Sequence, residues 1–387
     1  IYISAVSFPS INDIDNDGDL DILGFDVNGN FVNYHKNLSM EIYGNCSALK
    51  FQLFDKCWGN FIGSNVINSI TLNVSCKSGR ESGKQKGADQ ERHAGYSMIT
   101  FDMDNDGDKE MLLSNINAND LILLNNGGDI NNASITSFNT WPDSRNPLTV
   151  IAFPNVFYLD VDNDNVKDLI VCAGGQDVSS NRKSILYYKN TGSNTLPVFV
   201  FKRDNFLQET MIEVGSGLVP VWFDMNNDGK KDFFAAPDYE LTRDGNFKFG
   251  ISHYQNIGTL QYPSLQLVTR DYFRFDSLAI EALSPAFGDL DGDGDMDMVC
   301  GEISGHILYF ENTALIGQPA FFSYVTSTYF NIDVGFYSIP QLYDLNKDGL
   351  LDLIIGERNG NLNYYQNSGT LTNPDFSRLT NAVLGGV

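Results

Sequence analysis

Positive charge is scarce in this 387-residue chain: 25 Lys and Arg face 49 Asp and Glu, a formal net charge of −24. A surface of that sign repels phosphate backbones and anionic headgroups, so no nucleic-acid partner is expected. No run of eighteen apolar residues occurs, which leaves no candidate membrane-spanning helix and no expectation of direct membrane insertion. His is also rare, with His35, His93, His253 and His306 scattered along the chain. No Gly-x-Ser-x-Gly, phosphate-loop or His-Glu-x-x-His pattern accompanies them, and no Cys-x-x-Cys or Cys/His zinc spacing occurs. The sequence therefore offers no catalytic residue, and the chain is expected not to be an enzyme. The first residue is Ile1, with no basic and apolar leader behind it, so a soluble, processed or excised piece is expected.

What is present is globular material, 42% hydrophobic with 35 Gly and 12 Pro spread along the chain. One acidic pattern recurs six times: DIDNDGDLD from Asp13, DMDNDGDKE from Asp102, DVDNDNVKD from Asp160, DMNNDGKKD from Asp224, DLDGDGDMD from Asp289 and DLNKDGLLD from Asp344. The starts lie 89, 58, 64, 65 and 55 residues apart. A period near sixty suits one four-stranded blade of a β-propeller. Each copy follows a short apolar stretch such as Val219 to Phe223 and precedes a run such as Leu353 to Gly356. A third element (Ile185 to Asn190, Ile307 to Asn312, Leu362 to Asn367) and a more polar fourth (Phe199 to Arg203, Leu265 to Thr269) complete the unit. All are four to seven residues long, β-branched or aromatic, and bounded by Gly, Asn or Pro, so they read as strands. No helical periodicity is sustained. The continuous apolar second strands are expected near the axis and the polar fourth strands at an outer edge. The expected fold is all-β: a single propeller domain over 1–387, with six blades or with a seventh that lacks the motif or lies outside the chain.

In D-x-D-x-D-G-x-x-D the side chains at positions 1, 3, 5 and 9 converge, and the position 7 carbonyl is a further ligand. The residues so assigned are Asp13, Asp15, Asp17, Asp19 and Asp21; Asp102, Asp104, Asp106, Asp108 and Glu110; and Asp160, Asp162, Asp164, Val166 and Asp168. The later loops give Asp224, Asn226, Asp228, Lys230 and Asp232; Asp289, Asp291, Asp293, Asp295 and Asp297; and Asp344, Asn346, Asp348, Leu350 and Asp352. Hard oxygen ligands in that number suit Ca²⁺ better than Zn²⁺ or Mg²⁺, so up to six structural calcium ions are expected. Position 6 needs a positive φ and is Gly in five copies and Asn165 in the third. Asn226 and Asn346 lower the site charge, and Lys230, Lys231 and Lys347 lie in the same two loops, so these two are expected to bind most weakly. An ion that binds only the folded loop adds about 2.7 kcal/mol at a hundredfold excess over Kd.

With its Pro-x-x-x-Asp stretches (Pro9 to Asp13, Pro220 to Asp224, Pro285 to Asp289, Pro340 to Asp344) and Tyr-x-Asn-x-Gly strand ends (Tyr188 to Gly192, Tyr254 to Gly258, Tyr365 to Gly369), the chain resembles the FG-GAP/VCBS repeat family over its whole length. These are calcium-loop β-propellers, among them integrin α-subunit heads. Arg92-His-Ala-Gly95, Tyr34-His-Lys-Asn37, Cys57-Trp-Gly59 and Gly356-Glu-Arg-Asn-Gly360 also look like large secreted proteins of Bacteroidetes exported by type IX secretion. The resemblance implies an extracellular or cell-surface location. It also implies a non-catalytic binding or adhesion role, with a protein or glycan ligand on a rim of the propeller. A carbohydrate-binding or polysaccharide-processing accessory and a structural subunit that pairs with neighbours in a surface assembly are the alternatives.

The long first interval is read as an insertion at about 38–93 in the first blade, holding Cys46, Cys57 and Cys76 and the polar stretch 78–91. A disulfide between two of these three is expected, the pair being open, while Cys172 and Cys300 read as small core residues. Recurrent aromatics (Tyr187, Tyr188, Tyr309, Phe310, Tyr364, Tyr365) read as core, with a sugar-binding groove as the lesser alternative. The four side-chain positions of the six loops hold 22 of the 49 acids, so outside them the chain is nearly neutral.

Overall fold

The computed structural model of the chain describes residues 1–63, 70–74, 95–142, 148–174, 179–278 and 280–383. Its strands form six four-stranded antiparallel sheets, one per acidic loop, with two short hairpins beside them among the described residues. In every sheet the loop joins the first strand to the second, and its ninth residue opens the second strand. The residue before each loop pairs with that ninth residue: Asn12 with Asp21, Phe101 with Glu110, Leu159 with Asp168, Phe223 with Asp232, Gly288 with Asp297 and Tyr343 with Asp352. The expected all-β, bladed architecture is therefore present, and all six loops occupy equivalent places in it.

Burial follows the strand sequences. The second strands Glu110–Asn115, Asp232–Ala236 and Asp297–Gly301 are buried along their whole length, as continuous apolar runs require. The fourth strands, such as Leu265–Thr269 and Phe322–Thr326, are largely exposed. Each pairing of third and fourth strand carries a register irregularity, between Tyr187 and Tyr188 in the third sheet and between Tyr309 and Phe310 in the fifth. Such a bulge twists an exposed edge and discourages further strand addition.

Contacts divide the chain into two compact units, Ile1–Met211 with Thr242–Asn246, and Ile212–Leu241 with Phe247–Val387. The first unit holds sheets one to three. Here neighbouring sheets meet through their first strands: Phe8 N donates to Tyr96 O at 2.7 Å, Met98 N donates to Phe8 O at 3.0 Å, and the Ser10 and Thr100 hydroxyls lie 2.8 Å apart. Contact between neighbouring sheets thus runs through the first strands, and the second strands, expected innermost, lie one strand further along each sheet. Leu23, Tyr34, Met98, Met111 and Leu124 fill one core between sheets one and two, and Leu112, Trp141, Val171 and Tyr188 fill another between two and three.

The second unit holds sheets four to six. Phe234, Met298, Cys300 and Phe310 pack between the fourth and fifth sheets, where Phe223 stacks on Phe287 at 4.3 Å, and Val299, Tyr309, Leu353 and Tyr365 pack between the fifth and sixth. At Gly301 an added Cβ would stand 1.9 Å from the Ser338 carbonyl, so the close approach of these sheets requires glycine there.

The first sheet takes its fourth strand, Phe51–Asp55, from inside the span read as an insertion, and a short helix α1, Ser39–Tyr43, precedes it. The span 38–55 therefore belongs to the blade, its alternating Phe-Gln-Leu-Phe-Asp having the polar character of a fourth strand; the polar stretch 78–91 lies outside the described residues. Cys46, one of the three cysteines from which a pair was expected, carries a free exposed thiol, and Cys76 lies outside the described residues. Cys172 and Cys300 are free thiols, and burial pushes that of Cys300 up to about 12.

Candidate metal centres

The six loops share one backbone. Position 6 has φ of +96° at Gly18, +94° at Gly107, +69° at Asn165, +82° at Gly229, +94° at Gly294 and +91° at Gly349, as expected for that position. Position 4 is left-handed as well, at Asn16, Asn105, Asn163, Asn227, Gly292 and Lys347, and five of these six are the residue types that tolerate it. The position 5 carboxylate accepts the N–H of position 7 in every loop, at 2.9–3.0 Å. The position 1 carboxylate accepts N–H groups from the turn, as from Asp17 and Gly18 onto Asp13 and from Asp228 and Gly229 onto Asp224. These bonds turn side chains 1 and 5 into the loop before any ion is considered.

Position 9 does more than supply a ligand. Asp21 is fully buried; its Oδ1 accepts from Asn37 N at 2.7 Å, and its Oδ2 from Ile14 N at 3.1 Å and the Tyr34 hydroxyl at 3.0 Å. Asp168 is held by Asn190 N and Tyr187, Asp232 by Asn256 N and His253, and Asp352 by Asn367 N, Leu345 N and Tyr364. Asp297 takes Asn312 N, Leu290 N and the Tyr309 hydroxyl. The aromatic is always three residues before the Asn that ends the third strand. Tyr187, Tyr309 and Tyr364 are buried, as expected of core residues, and also place their hydroxyls on the position 9 carboxylate, while their neighbours Tyr188, Phe310 and Tyr365 lie wholly within the core. In the second sheet that position is Leu123, and Glu110 Oε1 is left buried without a partner.

Carboxylate oxygens from Asp13, Asp15 and Asp17, from Asp102, Asp104 and Glu110, from Asp160, Asp162 and Asp168, and from Asp289, Asp291 and Asp297 lie within 4.8 Å of one another in each set. Among the described residues no such set forms in the loops of Asp224 and Asp344. There Asn226 Nδ2 donates to Asp228 Oδ2 at 3.1 Å and Asn346 Nδ2 to Asp348 Oδ2 at 2.8 Å, so an amide meets the position 5 carboxylate.

The donor chemistry fits a hard divalent cation on structural grounds. Both oxygens of Asp108 and of Asp295, and single oxygens of Asp15 and Asp19, are buried without hydrogen-bond partners among the described residues. Unpartnered buried carboxylate oxygens are costly unless protonated or met by a cation. Burial, reinforced by Asp104, Asp106 and Asp108, pushes Glu110 up to about 7; Asp108 rises to about 6 from burial and then the neighbouring aspartates, as does Asp295. Where position 7 is Asp it places a buried carboxylate oxygen in the loop, at Asp19, Asp108 and Asp295, which Val166, Lys230 and Leu350 do not. The Asp doublet Gly-Asp in the first, second and fifth copies is the signal that marks it.

Two lysines enter the cluster from the third strands. Lys189 Nζ lies 2.7 Å from Asp162, 2.6 Å from Asp164 and 3.5 Å from Asp168. Lys36 Nζ pairs with Asp15 and Glu41 and lies 3.6 Å from Asp17. Lys230 lies 3.1 Å from Asp228, consistent with a weak fourth site.

The histidines have structural roles: His253 Nε2 meets Asp232 at 3.2 Å, with burial lowering its pKa against the pull of that carboxylate, and His306 Nδ1 meets Ile332 O at 3.3 Å. His93 lies outside the described residues. In the second unit a cleft of about 510 Å³ is lined by Trp222, Asp224, Lys231, Asp295, Met296 and Gln318 among others.

The repeat unit so defined is recognised independently: residues 224–300 match the FG-GAP-like repeat. That segment runs from the fourth acidic loop through the second strand of the fifth sheet. No curated protein matches the chain. Among solved structures, an Agrocybe aegerita lectin, described as recognising non-reducing terminal N-acetylglucosamine, is similar at 16% identity over 97% of this chain and 80% of that one, with a TM-score of 0.29. A likeness of that size carries no argument about ligand or fold.

Proposed function

We propose that the chain is a calcium-stabilised, non-catalytic binding or adhesion module of the bladed all-β class, working outside the cell or at its surface. The observation that supports it most is the second loop, where Asp108 is buried with both oxygens unpartnered beside converging Asp102, Asp104 and Glu110. Three converging carboxylates with Asp108 buried beside them, and no lysine ion-paired to them among the described residues, are a poor construction for a metal-free loop and a good one for Ca²⁺. Millimolar extracellular calcium would keep even weak loops filled, which is the ground for the location. The test is a melting curve in calcium and in excess chelator. A midpoint at least several degrees lower in chelator is expected, since each filled site adds about 2.7 kcal/mol at a hundredfold excess over Kd. An unchanged midpoint removes the calcium reading.

The cleft beside Trp222 favours a glycan as the ligand over a protein. An exposed indole next to Asp224, Lys231 and Gln318 offers a stacking face with hydrogen-bonding groups at its margin. Binding on a glycan array that is lost in Trp222→Ala supports this reading; array binding that W222A leaves unchanged places the ligand elsewhere.

A further inference from the structure

Among the described residues, the first acidic loop differs from the other five in receiving a carboxylate from outside itself. Helix α1 lies against it: Met40 N donates to Asp19 Oδ2 at 3.0 Å, and this contact sets Glu41 beside the loop. Carboxylate oxygens of Asp17, Asp19 and Glu41 then lie within 4.8 Å of one another, a group separate from Asp13, Asp15 and Asp17 and joined to it through Asp17. Asp19 is 1% exposed, and its Oδ1 has no hydrogen-bond partner among the described residues. A buried carboxylate keeps an oxygen free at a cost that only a cation or a proton removes.

We propose that this loop holds two divalent cations, the second bound by Asp17, Asp19 and Glu41, with Asp17 bridging it to the first. The inference rests on the calcium reading of the loops and extends it to a residue no repeat pattern contains. A carboxylate shared between two hard cations uses both of its oxygens, and Asp17 is the one side chain common to both groups. Glu41 is more exposed than the loop residues, so it closes the second position from the solvent side. Lys36 sits between the groups, paired with Asp15 and Glu41. Its ammonium occupies ground that a divalent ion contests, so the second position is the weaker of the two and fills only at higher calcium. Among the described residues the other five loops have no counterpart of Glu41: those of Asp102, Asp160 and Asp289 show one converging set each, and those of Asp224 and Asp344 none.

The experiment is a calcium titration of the whole chain by calorimetry and native mass spectrometry, comparing wild type with Glu41→Gln, Asp13→Asn and Lys36→Met. E41Q is expected to bind one calcium fewer than wild type and to retain the remaining sites, while D13N weakens the first position. K36M, which removes the competing ammonium, is expected to tighten the same ion that E41Q loses by about tenfold or more, in line with the dependence of calcium affinity on ligand charge. E41Q is an exposed, near-isosteric change, and its unfolding midpoint in chelator checks that the fold is kept. If E41Q binds as many ions as wild type with the same affinities, or K36M leaves every affinity unchanged, the second position is overturned while the loops stand. If wild type binds no calcium at all, it is the underlying reading of the loops that fails.

Discussion

The Tyr364 hydroxyl donates to Asp352 Oδ2 at 2.8 Å, joining the third strand of the sixth sheet to the first residue of its second strand. With Asn367 N on Oδ1 and Leu345 N on Oδ2, the carboxylate ties three segments of one blade together. The same three donors hold Asp21 and Asp297, while Asp168 is held by the third-strand tyrosine and Asn N–H and Asp232 by His253 and Asn256 N. Position 9 is therefore a fixed post of the blade, its carboxylate oriented by hydrogen bonds of the fold itself.

Removing only the hydroxyl in Tyr364→Phe is expected to cost about 1 kcal/mol of unfolding free energy, and Asp352→Ala, which strands three donors, on the order of 3 kcal/mol. Urea unfolding in calcium-free buffer measures both, so that the metal does not enter. Equal losses in the two variants would count against the ordering.

Calcium affinity is expected to follow the geometry of the clusters. The loops of Asp102 and Asp289, each with five carboxylates and no lysine ion pair among the described residues, should bind most tightly. Those of Asp224 and Asp344, where Asn226 and Asn346 satisfy the fifth position, should bind most weakly. Asn226→Asp replaces the amide donor by a fourth acid and is expected to tighten the fourth loop about tenfold. Calorimetry that found the two Asn loops tightest would reverse the scheme.

Much of this was legible in the residues. The strands and their order follow from short β-rich runs in register with the acidic motif, and the positive φ at position 6 follows from Gly and Asn165. What was not legible depends on contacts distant in sequence. Asp21 meets Tyr34 and Asn37 across thirteen and sixteen residues, and such pairings become readable only once the strands are aligned. Lys36 and Lys189 look like ordinary surface residues of a third strand until the loop is placed beside them. Glu41 belongs to no repeat at all. The fourth strand of the first sheet was hidden because the first interval is long, and its polar sequence looked like part of the excursion.

Lys347 occupies the left-handed position that Asn or Gly fills in the other five loops, at φ +63°. A residue with a Cβ and no local hydrogen-bonding side chain costs roughly 1 kcal/mol there. Lys347→Asn is accordingly expected to raise stability by about 0.5–1 kcal/mol, and Lys347→Gly by less, because glycine gives up more entropy on folding. Thermal unfolding with and without calcium checks this. A destabilised K347N would mean that the lysine makes a compensating contact.

The pH dependence should separate the metal-free chain from the loaded one. Burial, then neighbouring aspartates, raise Glu110 to about 7 and Asp108 and Asp295 to about 6, and burial raises Asp21 and Asp297 to about 6 as well. A carboxyl whose folded value lies above its unfolded one holds its proton more tightly when folded. Its contribution to stability is then complete below about pH 4 and is lost as the pH rises through about 6 to 7. In chelator the midpoint should therefore fall between about pH 5 and pH 7.5. Calcium competes with those same protons, so its affinity should rise over the same interval and the loaded chain should lose less, or gain. A chelated midpoint that climbs steadily across this range would show that the buried carboxylates are ionised and compensated without metal, and with that the structural case for calcium in these loops would fall.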